Sequence, residues 1–140
     1  MAKTSQQSGS VRKEMEQTFG FVPGFFLQSL PQHAHDQEWA VFHGFQLGET
    51  ALPNKTKELI GLAVAAHIKC KYCIYFHTEA ARAMGASEEE LKEACFMGGH
   101  TVQMSNVLTG AQLDLEAFKR EVDRAIANIK DKGASAPAQH

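Results

Sequence analysis

The sequence predicts an all-α fold, and three observations support this. Gly85 follows an Ala-rich run, as a glycine that ends a helix often does, and Ser87-Glu88-Glu89-Glu90 then forms a capping box. A short alternation of apolar and polar residues at 68–72 resembles a strand but breaks off at Cys73, and no second strand is available to pair with it. Near the C-terminus, apolar residues recur at close to helical spacing, at positions 113, 115, 118, 122, 125, 126 and 129.

The composition predicts one folded domain over residues 11–130 with a flexible segment at each end. Residues 1–10 are rich in Ser and Gln, and residues 131–140 are rich in Gly, Ala, Ser and Pro. The domain begins with a short polar helix over Val11–Thr18. An aromatic turn over Phe19–Phe26 follows, because its Gly and Pro residues prevent a regular element.

The next helix is predicted to open at Pro31 and to run to about Leu47. Its aromatic residues Trp39, Phe42 and Phe45 are three apart, so we expect them to share the buried side, with Val41 at the margin.

A further helix is predicted over Lys55–Ala66, with Asn54 as its N-cap. One unbroken helix over residues 55–84 would be unusually long for a globular domain, so we expect a break near 67–69. The last two helices are predicted from the capping box to about Leu108, and over Leu113–Ile129.

Length and charge limit the possible functions. A chain of 140 residues can bury roughly two thirds of its unfolded surface without disulfide support. The net charge of −2 gives no support for a nucleic-acid or anionic-membrane partner. The first ten residues lack the apolar run of a secretory signal, and no apolar stretch is long enough to span a bilayer, so we expect a cytoplasmic protein.

The most informative motif joins Cys70, Cys73 and His77. Spacings of three, four and seven place these side chains in one stripe on a helix. Two thiols so close can form a disulfide and reopen, and a histidine one turn away can act as a base. In a reducing compartment, C-x-x-C indicates redox or metal chemistry.

A helical hairpin about the break at 67–69 would bring residue 58 opposite roughly residue 78. Glu58 would then lie next to His77, whereas a straight helix would leave it about 18 Å from Cys70. The hairpin therefore predicts a contiguous site of Glu58, Cys70, Cys73 and His77. A helix beginning at Cys70, with Lys69 and Lys71 beside it, would also favour a thiolate.

Other readings of these residues remain open. The two cysteines could simply be buried, or His67, Cys70, Cys73 and His77 could bind zinc, although four ligands along one helix cannot easily surround a tetrahedral ion. Glu58 could be a solvated first-turn carboxylate. Three further residues are predicted to pack as apolar side chains: Cys95, Met97 and Met104.

Together these residues resemble the AhpD-like branch of the carboxymuconolactone decarboxylase family. The resemblance rests on Glu58, Cys70, Cys73 and His77 at their spacing, and on both flanks. It is tight over residues 54–86 and looser over about 19–108. The flanks are Lys55-Thr56-Lys57-Glu58-Leu59-Ile60, His77-Thr78-x-x-Ala81-x-x-x-Gly85-Ala86 and Phe19-Gly20-Phe21-Val22-Pro23.

The resemblance implies an orthogonal bundle of about six to seven helices that assembles as a homo-oligomer, a trimer or a hexamer, with active sites close to subunit contacts. It also implies thiol-dependent reduction of hydroperoxides, with no cofactor apart from a redox-active Cys70–Cys73 disulfide. Cys73 would attack the peroxide, Cys70 would resolve the sulfenic acid, and an external dithiol would reduce the disulfide. Glu58 and His77 would relay the proton. Tyr72 stands where some members carry a histidine.

The leading hypothesis is a thiol peroxidase or a closely related disulfide oxidoreductase that acts through Cys70 and Cys73, and two other functions are alternatives to it. One is a ring-lactone decarboxylase, the activity that named the wider family, which needs acid–base groups but no cysteine pair. The other is a non-catalytic, redox-sensing oligomeric module that uses the same two thiols.

Overall fold

The computed structural model describes the backbone of residues 3–134 and the side chains of residues 9–132. Over this range the chain forms seven α-helices and no strand, which confirms the all-α prediction. A 3₁₀ turn over Gln32–Ala34 and a π-helical turn over Phe42–Gln46 flank the third helix. The helices are α1 (Lys3–Phe19), α2 (Gly24–Ser29), α3 (His35–Val41), α4 (Asn54–His67), α5 (Lys71–Ala83), α6 (Glu88–Gly110) and α7 (Leu115–Ala134).

Both terminal helices are longer than the sequence predicts. α1 begins at Lys3, so residues 3–10, which we expected to be flexible, are helical. Its side chains Val11, Met15 and Phe19 follow one another at intervals of four and pack in the core, which stabilises an otherwise polar helix. α7 continues to Ala134, and the remainder of the predicted C-terminal tail lies outside the described residues.

The structure contains two compact units, Met1–Cys95 and Phe96–His140. The single domain expected over residues 11–130 stays a prediction. The first unit contains a core built around Met15, Phe26 and Trp39. Trp39 is only 1% exposed, and its indole N–H donates a hydrogen bond to Oε2 of Glu14 at 2.9 Å.

The aromatic turn 19–26 contributes Phe19, Val22 and Phe26 to this core. Phe21 and Phe25 are exposed, so the expected burial of the aromatic side chains holds only in part, and the end of the segment is regular because α2 begins at Gly24.

The π-helical turn changes the register of the predicted helix that follows Pro31. Its i→i+5 hydrogen bond joins the Leu47 N–H to the Phe42 carbonyl at 2.9 Å. Phe42 still packs against Trp39, with ring centroids 6.0 Å apart. Phe45 is 58% exposed, and the prediction that it shares the buried side is wrong, because the wider turn carries it off that side.

Lys57 and Asn54 fasten the end of this turn to α4. Lys57 is nearly buried, and its ammonium donates to the carbonyls of Phe45 at 2.7 Å and Gly48 at 2.6 Å. Asn54 is the first residue of α4 rather than its N-cap; Pro53 occupies the cap. The Asn54 side chain instead donates to the Leu47 carbonyl at 2.7 Å and accepts from Lys57 at 3.1 Å.

The predicted break between α4 and α5 is present, and the two helices form a hairpin. α4 ends at His67, Lys69 adopts a left-handed conformation with φ of 57°, and α5 begins at Lys71 with Cys70 as its extended N-cap. A second core cluster, Leu62, Ala81 and Leu91, ties the hairpin to the start of α6.

The helix-ending glycine and the capping box near residue 85 are both present, as predicted. Gly85 has a φ of 82°, the left-handed conformation that suits a residue after a helix end. The Ser87 N–H donates to Oε2 of Glu90 at 2.7 Å, and the Glu90 N–H donates to Oγ of Ser87 at 3.1 Å. These reciprocal bonds are the capping box that opens α6.

Several residues expected to be packed are exposed. Cys95 in the first unit is exposed, and so are Met97 and Met104 in the second, so the prediction that these three pack as apolar side chains is wrong for this chain. In the second unit, the apolar row of α7 is also exposed: Leu115, Phe118, Val122, Ile126 and Ile129. No helix among the described residues is long and apolar enough to cross a membrane.

Candidate active site

The α4–α5 hairpin brings Glu58 and His77 into direct contact, as predicted. Nδ1 of His77 lies 2.6 Å from Oε2 of Glu58, whose side chain is 0% exposed. A carboxylate can only accept hydrogen bonds, so Nδ1 carries the hydrogen in this pair. In the neutral ring, Nε2 then keeps its lone pair and can accept a proton.

Gly61 makes this contact possible. A Cβ atom at this position would lie about 2.5 Å from Nδ1 and 2.7 Å from Nε2 of His77, closer than real Cβ contacts allow. The imidazole therefore lies directly against the backbone of α4, one turn from Glu58. A glycine inside a helix lowers its stability by about 1 kcal/mol relative to alanine. At position 61 the missing side chain leaves room for the His77 ring.

The cysteine pair lies at the N-terminus of α5. Cys70 is the N-cap, and its sulfur accepts the backbone N–H of Cys73 at 3.3 Å. Both cysteines are partly buried, and both are free thiols in this structure. The N-terminus of a helix favours a negative charge, so this cap suits a thiolate.

The two thiols differ in acidity because they interact with each other. A hydrogen bond from the Cys73 side chain is the main cause of a lowered pKa at Cys70, and backbone N–H groups add to it. The same side-chain bond raises the pKa of Cys73, with desolvation and the charge of Cys70 acting in the same direction. When the reduced pair loses one proton, these shifts favour the negative charge on Cys70 and the remaining proton on Cys73.

Cys73 and His77 are one helical turn apart on α5, but no hydrogen bond joins His77 to either sulfur among the described side chains. The site therefore consists of two neighbouring pairs, Cys70 with Cys73 and Glu58 with His77. Proton transfer between the two pairs would therefore need a bridging group such as a water molecule.

Aromatic rings connect the site to the first core. The Phe76 ring meets His77 edge-on with centroids 5.4 Å apart, and it lies 5.6 Å from the ring of Phe42. Phe42 in turn packs against Trp39. The His77 imidazole is thus held by Phe76 on one side as well as by Glu58.

Three residues of the site were not predicted from the sequence: Gln46, Gly61 and Phe76. The Gln46 amide donates to Oε1 of Glu58 at 3.3 Å, a contact that depends on the π-helical turn and carries no local signal. Gly61 did carry one, since a glycine within a helical pattern often marks a close approach. Across the residues that the structure describes, no group of three or more His, Cys, Asp or Glu side chains is placed to hold a metal ion.

The fold and this pair of helices define an AhpD-like all-helical protein. The chain is similar to the crystal structure of the alkylhydroperoxidase AhpD core from Rhodospirillum rubrum, with a TM-score of 0.68 and 30% sequence identity. The match covers 83% of this chain and 88% of that one. The chain belongs to the carboxymuconolactone decarboxylase family, whose sequence pattern matches residues 36–113.

A shorter similarity joins the chain to uncharacterized protein 4 in the cox locus of Paracoccus denitrificans. The two are 43% identical over 47 residues, which are 34% of this chain and 42% of that relative. The matched segment is less than half the length of either protein.

Replacing Gly61 should displace His77. In Gly61→Ala, the new methyl group would occupy the space of the imidazole, so we expect the downfield Nδ1–H proton resonance of the Glu58 bond to be lost. Proton NMR measures this, with circular dichroism as the check on folding. Gly99→Ala is the matched control, because a Cβ there meets no atom within 4 Å. An unchanged resonance in Gly61→Ala would contradict the packing described above.

The acidity of the thiols predicts their order of alkylation. At a pH below the ordinary thiol pKa, Cys70 should react with iodoacetamide before Cys73, because only the thiolate reacts. Cys73→Ala removes the bonding thiol, so the pKa of Cys70 should rise and its rate should fall, by about tenfold for each pKa unit. Peptide mapping by mass spectrometry measures the alkylation of each cysteine. The exposed Cys95 in the same sample is the internal control for the activity of the reagent. Earlier labelling of Cys73 would refute the assignment.

Proposed function

We propose that this chain is a thiol-dependent peroxidase of the alkylhydroperoxidase type that uses Cys70 and Cys73. The observation that carries the proposal is a C-x-x-C pair at a helix N-terminus, one turn from a histidine that a buried glutamate holds. Membership of the carboxymuconolactone decarboxylase family and the likeness to an AhpD core support the same class of chemistry.

In the first step, the Cys73 thiolate attacks the terminal oxygen of a hydroperoxide. The O–O bond breaks, an S–O bond forms, and the departing alkoxide takes up a proton to leave as an alcohol. Cys73 is oxidised to a sulfenic acid. The protonated His77, one turn away, is the residue that would supply this proton.

The Glu58–His77 pair also prepares Cys73 for that attack. The raised pKa of Cys73 favours its protonated form, so this thiol must lose a proton before it attacks. Nε2 of His77 can take the proton through a water molecule, and the Glu58 carboxylate stabilises the resulting imidazolium across the 2.6 Å contact.

In the second step, Cys70 attacks the sulfenic sulfur of Cys73. An S–S bond forms, the S–O bond breaks, and hydroxide leaves as water after protonation. Cys70 suits this role because its lowered pKa favours the thiolate form. An external dithiol then reduces the disulfide by two exchange steps and is itself oxidised. Such reductants are abundant in the cytoplasm, where we expect the protein to act.

Variants of the two cysteines also test the two alternative functions. Ring-lactone decarboxylation, the activity in the family name, needs acid–base groups but no thiols, so it would survive in a Cys70→Ser/Cys73→Ser variant. A redox-sensing module would form the Cys70–Cys73 disulfide readily yet turn over very slowly.

The peroxidase proposal predicts consumption of tert-butyl hydroperoxide when dithiothreitol is supplied. Cys73→Ser should lose the activity to background, because it lacks the attacking thiol. Cys70→Ser should stop after one turnover and accumulate a sulfenic acid on Cys73 that dimedone traps. Cys95→Ser is the matched control and should keep the wild-type rate. Undiminished peroxide consumption in Cys73→Ser would sink the proposal.

We also propose that the chain forms a homo-oligomer, a trimer or a hexamer. The support is the exposed apolar row on α7, five large side chains at intervals of three and four, since soluble proteins rarely leave such a row uncovered. Analytical ultracentrifugation should show the assembly, and Val122→Glu/Ile126→Glu should weaken it. Arg124→Glu, on the opposite side of the helix, is the control. Monomeric wild-type protein would contradict the proposal.

A further inference from the structure

We infer that Gln46 is a positioning residue for the Glu58–His77 pair. Its side-chain amide fixes the second oxygen of Glu58, and through this oxygen it fixes the orientation of the His77 ring. The inference rests on the proposed peroxidase function for its effect on rate, whereas the effect on ring orientation is independent of that function.

The burial of Glu58 makes both of its oxygens important. The side chain is 0% exposed, so neither oxygen can turn to solvent for a hydrogen bond. His77 bonds Oε2 at 2.6 Å and Gln46 bonds Oε1 at 3.3 Å. With both oxygens bonded, rotation of the carboxyl group about its last torsion would break two bonds at once. With only His77 bonded, the group and the imidazole could rotate together.

The π-helical turn places Gln46 where it can reach Glu58. In a continuous α-helix, residue 46 would lie one turn after Phe42 and share its apolar face. The i→i+5 bond from Leu47 to Phe42 widens the turn by one residue and moves Gln46 around the axis, off this face. π-turns of this kind are frequent at functional sites.

Lys57 holds that turn against α4. It precedes Glu58 in sequence, and its ammonium bonds the carbonyls of Phe45 and Gly48, one on each side of Gln46. The segment that carries Gln46 and the helix that carries Glu58 are thus fastened together by charged hydrogen bonds, which are stronger than neutral ones. The Gln46 amide is presented to Glu58 by a fixed backbone rather than by a free loop.

A neutral amide is a suitable residue for this role. It donates to the carboxylate without contributing a charge of its own, so it does not compete with the positive charge that the His77 imidazolium brings to Glu58 after proton transfer. Methionine has a similar length and volume but no N–H group. Gln46→Met therefore removes the hydrogen bond while it fills the same space.

The test compares wild-type protein with Gln46→Met and with Gln17→Met, an exposed position on α1. The first readout is the downfield Nδ1–H resonance of His77 by proton NMR. The second is the rate constant for reaction with tert-butyl hydroperoxide, and the third is the alkylation rate of Cys70. In Gln46→Met we expect the resonance to broaden or disappear and the peroxide rate to fall by about tenfold. Cys70 alkylation, circular dichroism and Gln17→Met should remain at wild-type values.

An unchanged His77 resonance in folded Gln46→Met would overturn the inference. A lost resonance would support it even if the wild-type protein consumed no peroxide, a result that would count against the proposed function alone. If Gln46→Met failed to fold, Gln46→Asn would decide. This variant keeps the polarity but shortens the side chain by one methylene, which withdraws the amide from Glu58, so a wild-type resonance in it would refute the role of Gln46.

Discussion

The hydrogen bond between Glu58 and His77 is the interaction on which the arrangement of this protein's hairpin depends. It joins α4 to α5 across a turn of three residues, and it does so with a carboxylate that has no access to water. The oxygens of a buried carboxylate need hydrogen-bond partners, and here His77 bonds one oxygen and Gln46 bonds the other. Three features in different segments make the same contact possible. Gly61 in α4 leaves space for the ring, the left-handed Lys69 lies in the turn between the helices, and the π-helical turn carries Gln46.

The sequence predicted this contact because hairpin geometry is simple. Once a break was placed near 67–69, the pairing of residue 58 with residues near 78 followed from the rise per residue, and Glu58 and His77 were the groups at those positions. The positions of Cys70, Gly85 and Ser87 were likewise predictable, because caps and helix ends depend on local chemistry.

Other features depend on backbone geometry that side-chain patterns do not encode. The π-helical turn has no distinctive composition, so a pattern with α-helical spacing put Phe45 in the core and gave Gln46 no role. Asn54 is a good N-cap residue by type, yet its side chain bonds Leu47 and Lys57 instead. α1 is polar on average, so its composition did not indicate that three of its apolar side chains pack in the core. Cysteine is a residue type that is usually buried, so its type predicted a packed side chain at position 95, whereas Cys95 is exposed.

The cap at the start of α5 has a consequence for the energetics of reduction. The Cys70 sulfur that accepts the Cys73 N–H is a better acceptor as a thiolate than as part of a disulfide, so the helix N-terminus stabilises the reduced pair more than the oxidised pair. Any interaction that favours the reduced form raises the reduction potential of the couple. In the proposed cycle, the local fold of α5 would therefore make a Cys70–Cys73 disulfide easier to reduce than the structural disulfides that stabilise secreted proteins.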